Sequence, residues 1–153
     1  MHDTIGKWLS ILSRKGQCFL ERRLERLGIG RGQYFFLMAL YGGDGISQDE
    51  LTRRVFVDKT TTARAVQKLV DRGLVRCQSD INDGRVRRVH LTELAYTLKP
   101  EILNVLREWN SMLTTGIDER EQRELLRILH KMHESLSKNP YHQDREGTTA
   151  NHE

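Results

Sequence analysis

The chain is 153 residues long and 37% apolar, and its 25 Lys/Arg against 21 Asp/Glu give a net charge of +4. The length suits one compact domain or a small domain with helical extensions, and the two widely separated cysteines, Cys18 and Cys77, exclude a disulfide scaffold and a cysteine zinc site. The apolar run Phe35 to Tyr41 is far short of the roughly 20 residues of a membrane span, and Trp8 to Leu12, interrupted by Ser10, is too short for a signal peptide, so a soluble, cytoplasmic protein is expected.

In chain order, the segment from roughly Thr4 to Leu27 carries Trp8, Leu9, Ile11, Leu12, Phe19, Leu20, Leu24 and Leu27 at steps of three and four. That spacing predicts an amphipathic helix, closed by Gly28 and Gly30. Gln33 to Tyr41 is a short helix, apolar nearly all round and therefore buried, and Gly42-Gly43-Asp44-Gly45 stops it. Ser47-Gln48-Asp49-Glu50 reads as a capping box, the serine hydroxyl accepting a backbone N–H three residues on and the glutamate reaching back. The helix it opens turns Leu51 and Val55 inward. After a turn at Phe56-Val57, Asp58 caps a second helix from Lys59 to about Arg72, with Thr62, Val66, Leu69 and Val70 inside and Gly73 ending it. Two short helices joined by a tight turn make a helix-turn-helix.

The period then changes. Leu74 to Gln78 and Val86 to Leu91 are short strand-like runs around Ser79-Asp80-Ile81-Asn82-Asp83-Gly84-Arg85, which predicts a β-hairpin with a long, mobile tip. Thr92-Glu93 opens a long helix to about Thr115, in which Pro100 should bend or break the pattern at about 3 kcal/mol if uncompensated. Asp118 with Glu121 starts a last helix bearing Leu125, Leu126, Ile128, Leu129, Met132 and Leu136. Residues 139–153 are polar and are expected to form a disordered tail.

Charge follows this organisation. Residues 1–46 carry net +3, residues 47–92 net +4 and residues 93–153 net −3, and arginine outnumbers lysine 18 to 7. A basic front favours an anionic partner, and arginine favours directional contacts to phosphates and bases. The outward face of the Lys59–Arg72 helix offers Lys59, Thr60, Thr61, Arg64, Gln67, Lys68 and Arg72, mostly on one side. A helix of this kind fits the DNA major groove, about 12 Å wide. Thr60 and Thr61 stand at the helix start, where free N–H groups favour a phosphate. The hairpin adds Arg85, with Arg87 and Arg88 behind it, suited to the negative potential of a narrow minor groove. Asp83, two residues before Arg85, could hold that side chain through a salt bridge.

These residues resemble a known family. Asp58-Lys59-Thr60-Thr61-Thr62-Ala63-Arg64, with Leu69-Val70-Asp71-Arg72-Gly73-Leu74-Val75, is similar to the recognition helix and first wing strand of the MarR family of winged-helix transcription regulators. Asp80-Ile81-Asn82-Asp83-Gly84-Arg85, running into Val89-His90-Leu91-Thr92-Glu93, resembles that family's wing, and Leu27-Gly28-Ile29-Gly30-Arg31-Gly32-Gln33-Tyr34 its approach to the second helix. The resemblance spans about residues 5 to 137. It implies a mainly α fold with a small β-hairpin wing: a winged helix-turn-helix domain over residues 31–92, and long N- and C-terminal dimerisation helices over 1–30 and 93–138. It also implies a homodimer on a pseudo-palindromic double-stranded operator, acting as a repressor. The contacts would fall on Lys59, Thr60, Thr61, Arg64, Lys68 and the wing arginine Arg85, while Thr62 and Ala63 depart from the pattern and imply a different base preference. Wide apolar stripes at both ends of the chain independently favour self-association.

Many members of the family are released from DNA by a small aromatic acid or phenol, and the corresponding region here would draw on Arg22, Gln33, Tyr34 and Met38. Some relatives sense oxidants through a first-helix cysteine, so Cys18 carries an alternative, redox-sensing reading; a winged-helix module for protein contacts is the other alternative. His130 and His133 read as solvent-facing, and no metal site or cofactor is expected. No nucleophile motif, phosphate-cradling glycine loop or HExxH is present in the sequence, so no catalytic residue is assigned and an enzyme is not expected.

Overall fold

The computed structural model describes residues 3–138. Helix α1 (Ile5–Leu24) begins where the Thr4 hydroxyl accepts the Lys7 N–H at 3.3 Å, and passes into a 3-10 turn, Glu25–Leu27. The turn ends on Gly28 at φ +73°, a left-handed conformation that glycine adopts without strain. Helix α2 (Gln33–Tyr41) buries Phe36, Leu37 and Leu40. Strand β1 (Ile46–Ser47) leads into α3 (Gln48–Val55), and α4 (Lys59–Asp71) follows after the Phe56-Val57 turn. Strands β2 (Val75–Ser79) and β3 (Arg87–Leu91) form the hairpin, and α5 (Glu93–Leu113) and α6 (Glu119–Ser137) complete the described chain.

The sheet is antiparallel with β3 in the centre, pairing Val89 with Ile46 on one side and with Cys77 on the other. Strand β1 is an addition to the expected hairpin, because two residues carry no readable alternation. It is brought alongside by Asp44, whose carboxylate accepts the Leu91 N–H at 2.8 Å.

The chain divides into two compact units, with the boundary after Asn110. In the first, Leu20, Leu24, Ile29, Leu37, Leu40, Leu51, Leu69, Leu74, Val89 and Ile102 are buried in one cluster that joins α1, α2, the helix-turn-helix, the sheet and α5. Trp109 stacks on Phe19 with ring centroids 5.7 Å apart and covers Gly16, where a Cβ would meet the indole at 2.9 Å. In the second unit, α6 opens on a complete capping box: Glu121 N–H donates to Asp118 Oδ1 and Asp118 N–H to Glu121 Oε2, both at 2.9 Å.

Two expectations are corrected. At α3 only half of the capping box forms: Ser47 Oγ accepts from the Glu50 N–H at 3.1 Å, but the Glu50 carboxylate is taken by the Arg53 and Arg54 guanidinium groups instead of reaching back. Helix α5 is not broken at Pro100. Pro100 and Tyr96, the residue whose carbonyl loses its donor, are both exposed on one side of α5, where water can take up that carbonyl.

Candidate nucleic-acid interface

Helix α4 is held by hydroxyls and displays its basic groups. Asp58 caps it, accepting the Thr61 N–H at 2.8 Å and the Thr61 hydroxyl at 2.7 Å. These two bonds keep the Asp58 carboxyl below the usual carboxylate range. Thr62 is fully buried and fastens the helix pair: its hydroxyl donates to the Asp58 carbonyl at 3.1 Å and lies 2.9 Å from the Thr52 hydroxyl. The departure from the family pattern at Thr62 therefore falls on a buried packing position, whereas Ala63 is exposed on the outer side.

Lys59, Thr60, Thr61, Arg64, Gln67 and Lys68 are all exposed. Three of them are already engaged. Lys59 pairs with Asp49 at 3.2 Å, Gln67 donates to Asp71 at 2.8 Å, and Thr61 is spent on the cap. Arg64 and Lys68, one helical turn apart, have no side-chain partner among the described residues, and their charges face solvent uncompensated.

The wing is braced by a residue that sequence reasoning missed. Asp80 accepts the backbone N–H groups of Asn82 at 2.8 Å and Asp83 at 3.1 Å, and is gripped by the Arg88 guanidinium. Arg88 foremost, then the two N–H groups, lowers the Asp80 carboxyl below its usual range. The other side of Arg88 donates to the Gly45 carbonyl at 3.0 Å, tying the hairpin to the loop before β1. The expected Asp83–Arg85 salt bridge is corrected accordingly: Asp83 accepts the Arg85 backbone N–H at 3.0 Å, and the wing's carboxylate–guanidinium pair is Asp80–Arg88. A turn this tight points the Asp83 carboxylate back at the chain, leaving the Arg85 guanidinium unpaired. Arg87 is likewise exposed without a side-chain partner among the described residues. The signal was available in Asp80-Ile81-Asn82, an aspartate able to bond its own backbone two residues on.

The four residues expected at an effector pocket do not all line one cavity between α1 and α2. Gln33 is buried and its Oε1 accepts the Gly30 N–H at 2.9 Å; Arg22 is exposed on α1; Met38 packs against the core. Only Tyr34 of the four lines the cavity of about 140 Å³ between α1 and the start of α2, with Gln17, Leu20, Glu21, Leu24, Arg31 and Phe35 around it. Burial pushes the Tyr34 phenol up to about 12. Glu21 Oε1 is enclosed, with Arg31 Nε 2.8 Å away but not aligned as a hydrogen-bond donor. Cys18 is exposed on α1, Cys77 packs against the core from β2, and His130 and His133 are exposed on α6. Among the described residues no group of three His, Cys, Asp or Glu is placed to hold a metal ion, and no helix is long and apolar enough to cross a membrane.

The MarR family model matches residues 27–86, which run from the end of the 3-10 turn after α1 to the wing tip, just before β3. A MarR transcriptional regulator from Methanosarcina mazei Go1, known from its crystal structure, is 45% identical, with 88% of this chain and 96% of that one aligned at a TM-score of 0.83. The chain belongs to the MarR family. The family assignment makes it a transcriptional regulator on a winged-helix fold. The uncharacterized HTH-type transcriptional regulator YybA of Bacillus subtilis (strain 168) is 26% identical over 138 residues, 90% of this chain and 91% of that protein. A MarR family regulator from Listeria monocytogenes, crystallised with 26mer DNA, shares the fold at a TM-score of 0.85 over 99% of this chain and 100% of that one, at 22% identity. Each of the three is named as a transcriptional regulator.

Proposed function

We propose that this MarR regulator is a homodimeric repressor that sets α4 in the major groove and the wing in the minor groove of a pseudo-palindromic operator. The observation that carries the reading is the pair Arg64 and Lys68, exposed on α4 without side-chain partners among the described residues, together with Arg85 and Arg87 of the wing, which also lack such partners there. The Listeria relative crystallised with DNA supports it by analogy of fold. Thr60, with Lys59 once it leaves Asp49, suits backbone contacts at the α4 start, and Arg64 and Lys68 suit base edges and flanking phosphates. Residues 31–92 act as the DNA-binding part and residues 1–30 and 93–138 as the dimerising part. Exposed Ile5, Trp8, Leu9 and Leu12 on α1, and Leu125, Leu126, Ile128 and Leu136 on α6, support self-association, since such apolar surface is stabilised by a partner. The expected tail, residues 139–153, lies outside the described residues.

The effector proposed for release is a single aromatic ring seated in the cavity beside Tyr34. Its volume of about 140 Å³ suits one ring. The enclosed Glu21 Oε1 at its wall would accept a phenolic O–H, and Arg31 beside it offers a cation to an aromatic carboxylate, so either class of ring fits the lining. No specific observation favours the redox reading through Cys18 or the protein-contact reading.

Selection of duplexes from a random pool, followed by titration in salt, tests the main reading. The selected operator should lose several orders of magnitude in affinity between roughly 50 and 200 mM salt, as neutralised phosphates release their counterions. Equal affinity for selected and unselected duplexes, or a flat salt response, would overturn it.

A further inference from the structure

The wing tip holds a side chain that the charges do not account for. Ile81 is wholly exposed, at 101% of its reference surface. A lone exposed apolar residue is ordinary on a protein surface, but this one sits on a braced platform. Asp80 on its N-terminal side is fixed by Asn82, Asp83 and Arg88, the Asp80 N–H donates to the Val86 carbonyl at 2.8 Å, and the Val86 N–H donates to the Asp83 carbonyl at 2.9 Å. Folding Ile81 back onto the hairpin would break these bonds. The turn therefore holds an isoleucine out in water beside Arg85, the unpaired cation of the same tip.

We propose that Ile81 is a specificity-determining residue of the wing: it packs against the deoxyribose walls of the minor groove and confers a preference for A·T pairs where the wing lands. This rests on the DNA reading above. The charge around the tip fits a polyanion, and an apolar side chain among arginines fits the minor groove better than an acidic protein surface, because sugar walls offer apolar contact between phosphates. The A·T floor presents only N3 and O2 acceptors, and its groove is narrow. A G·C pair adds the guanine N2 amine, a donor that an isoleucine covers without bonding. Arg85 thus contributes charge and Ile81 contributes shape, and the two respond differently to salt.

The test uses the full chain and its pool-selected operator, with only the base pairs flanking the selected core exchanged for A·T, G·C or inosine·C, the last lacking the N2 amine. The wild-type chain should bind A·T and inosine·C flanks alike and G·C flanks about tenfold more weakly, an effect of the size expected for one partly buried apolar side chain. Ile81→Ser should bind the A·T operator about tenfold more weakly and lose most of its discrimination, keeping only the part that Arg85 draws from the narrow A·T groove, with an unchanged slope of log K against log salt and an unchanged melting temperature. Arg85→Ala should instead lower that slope by about 1. Wild-type affinity and flank preference retained in Ile81→Ser would overturn this inference alone. Failure of the wild-type chain to bind any duplex specifically would overturn the DNA reading and this inference with it.

Discussion

At the scale of single residues, the unpaired cations and the tethered carboxylates make separate predictions. Arg64→Ala should cost about 1–3 kcal/mol of specific binding and relax the preference at one base position, since a bidentate guanidinium reads a base edge; binding to the selected operator and its single-base variants measures both. Acid should act through Asp58 and Asp80. Both carboxyls are held below their usual range in the folded chain, so they contribute stability above the ordinary carboxylate pKa of about 3.9 and lose it as pH falls through their lowered values. The wing and the start of α4 should therefore be unchanged from neutrality to about pH 5 and loosen below about pH 4. Amide resonances of Thr61, Asn82 and Asp83, followed in a pH titration, report it; Asp80→Asn should abolish the acid response at the wing while sparing that at Thr61.

At the scale of elements, packing fixes what periodicity alone only suggests. Gly16→Ala should destabilise the fold by about 1–3 kcal/mol, because the new methyl meets the Trp109 indole and that ring is itself stacked on Phe19. Thr62→Val should cost less than about 1 kcal/mol: Thr52 can still donate to the Gln48 carbonyl at 2.9 Å, and the Asp58 carbonyl keeps the Thr62 N–H at 3.0 Å. Thermal unfolding separates the two. The bounds of α4 were legible because a capping aspartate and a terminal glycine flank a regular apolar stripe. Strand β1 was not legible, being too short to show a period. Nor was the Asp80–Arg88 pair: eight residues separate them, and they meet only because the hairpin register sets Gln78 opposite Arg88. The fate of Glu50 was equally hidden, since two arginines on its own helix outcompete the backbone for its carboxylate.

At the scale of the whole molecule, the apolar stripes of α1 and α6 predict a dimer at micromolar concentration by light scattering, and Trp8→Glu with Leu125→Asp should yield a monomer that binds the operator far more weakly, since each subunit then meets one half-site alone. The net +4 of residues 31–92, set against exposed stripes on α1 and α6 that are apolar, predicts that salt weakens DNA binding more than dimerisation. Arg88, clasping Asp80 with one edge and the Gly45 carbonyl with the other, leaves the hairpin cocked before any duplex arrives. Severing the clasp with Arg88→Gln should therefore show up as slower arrival on the operator, in proportion to the shrunken fraction of molecules whose hairpin is set.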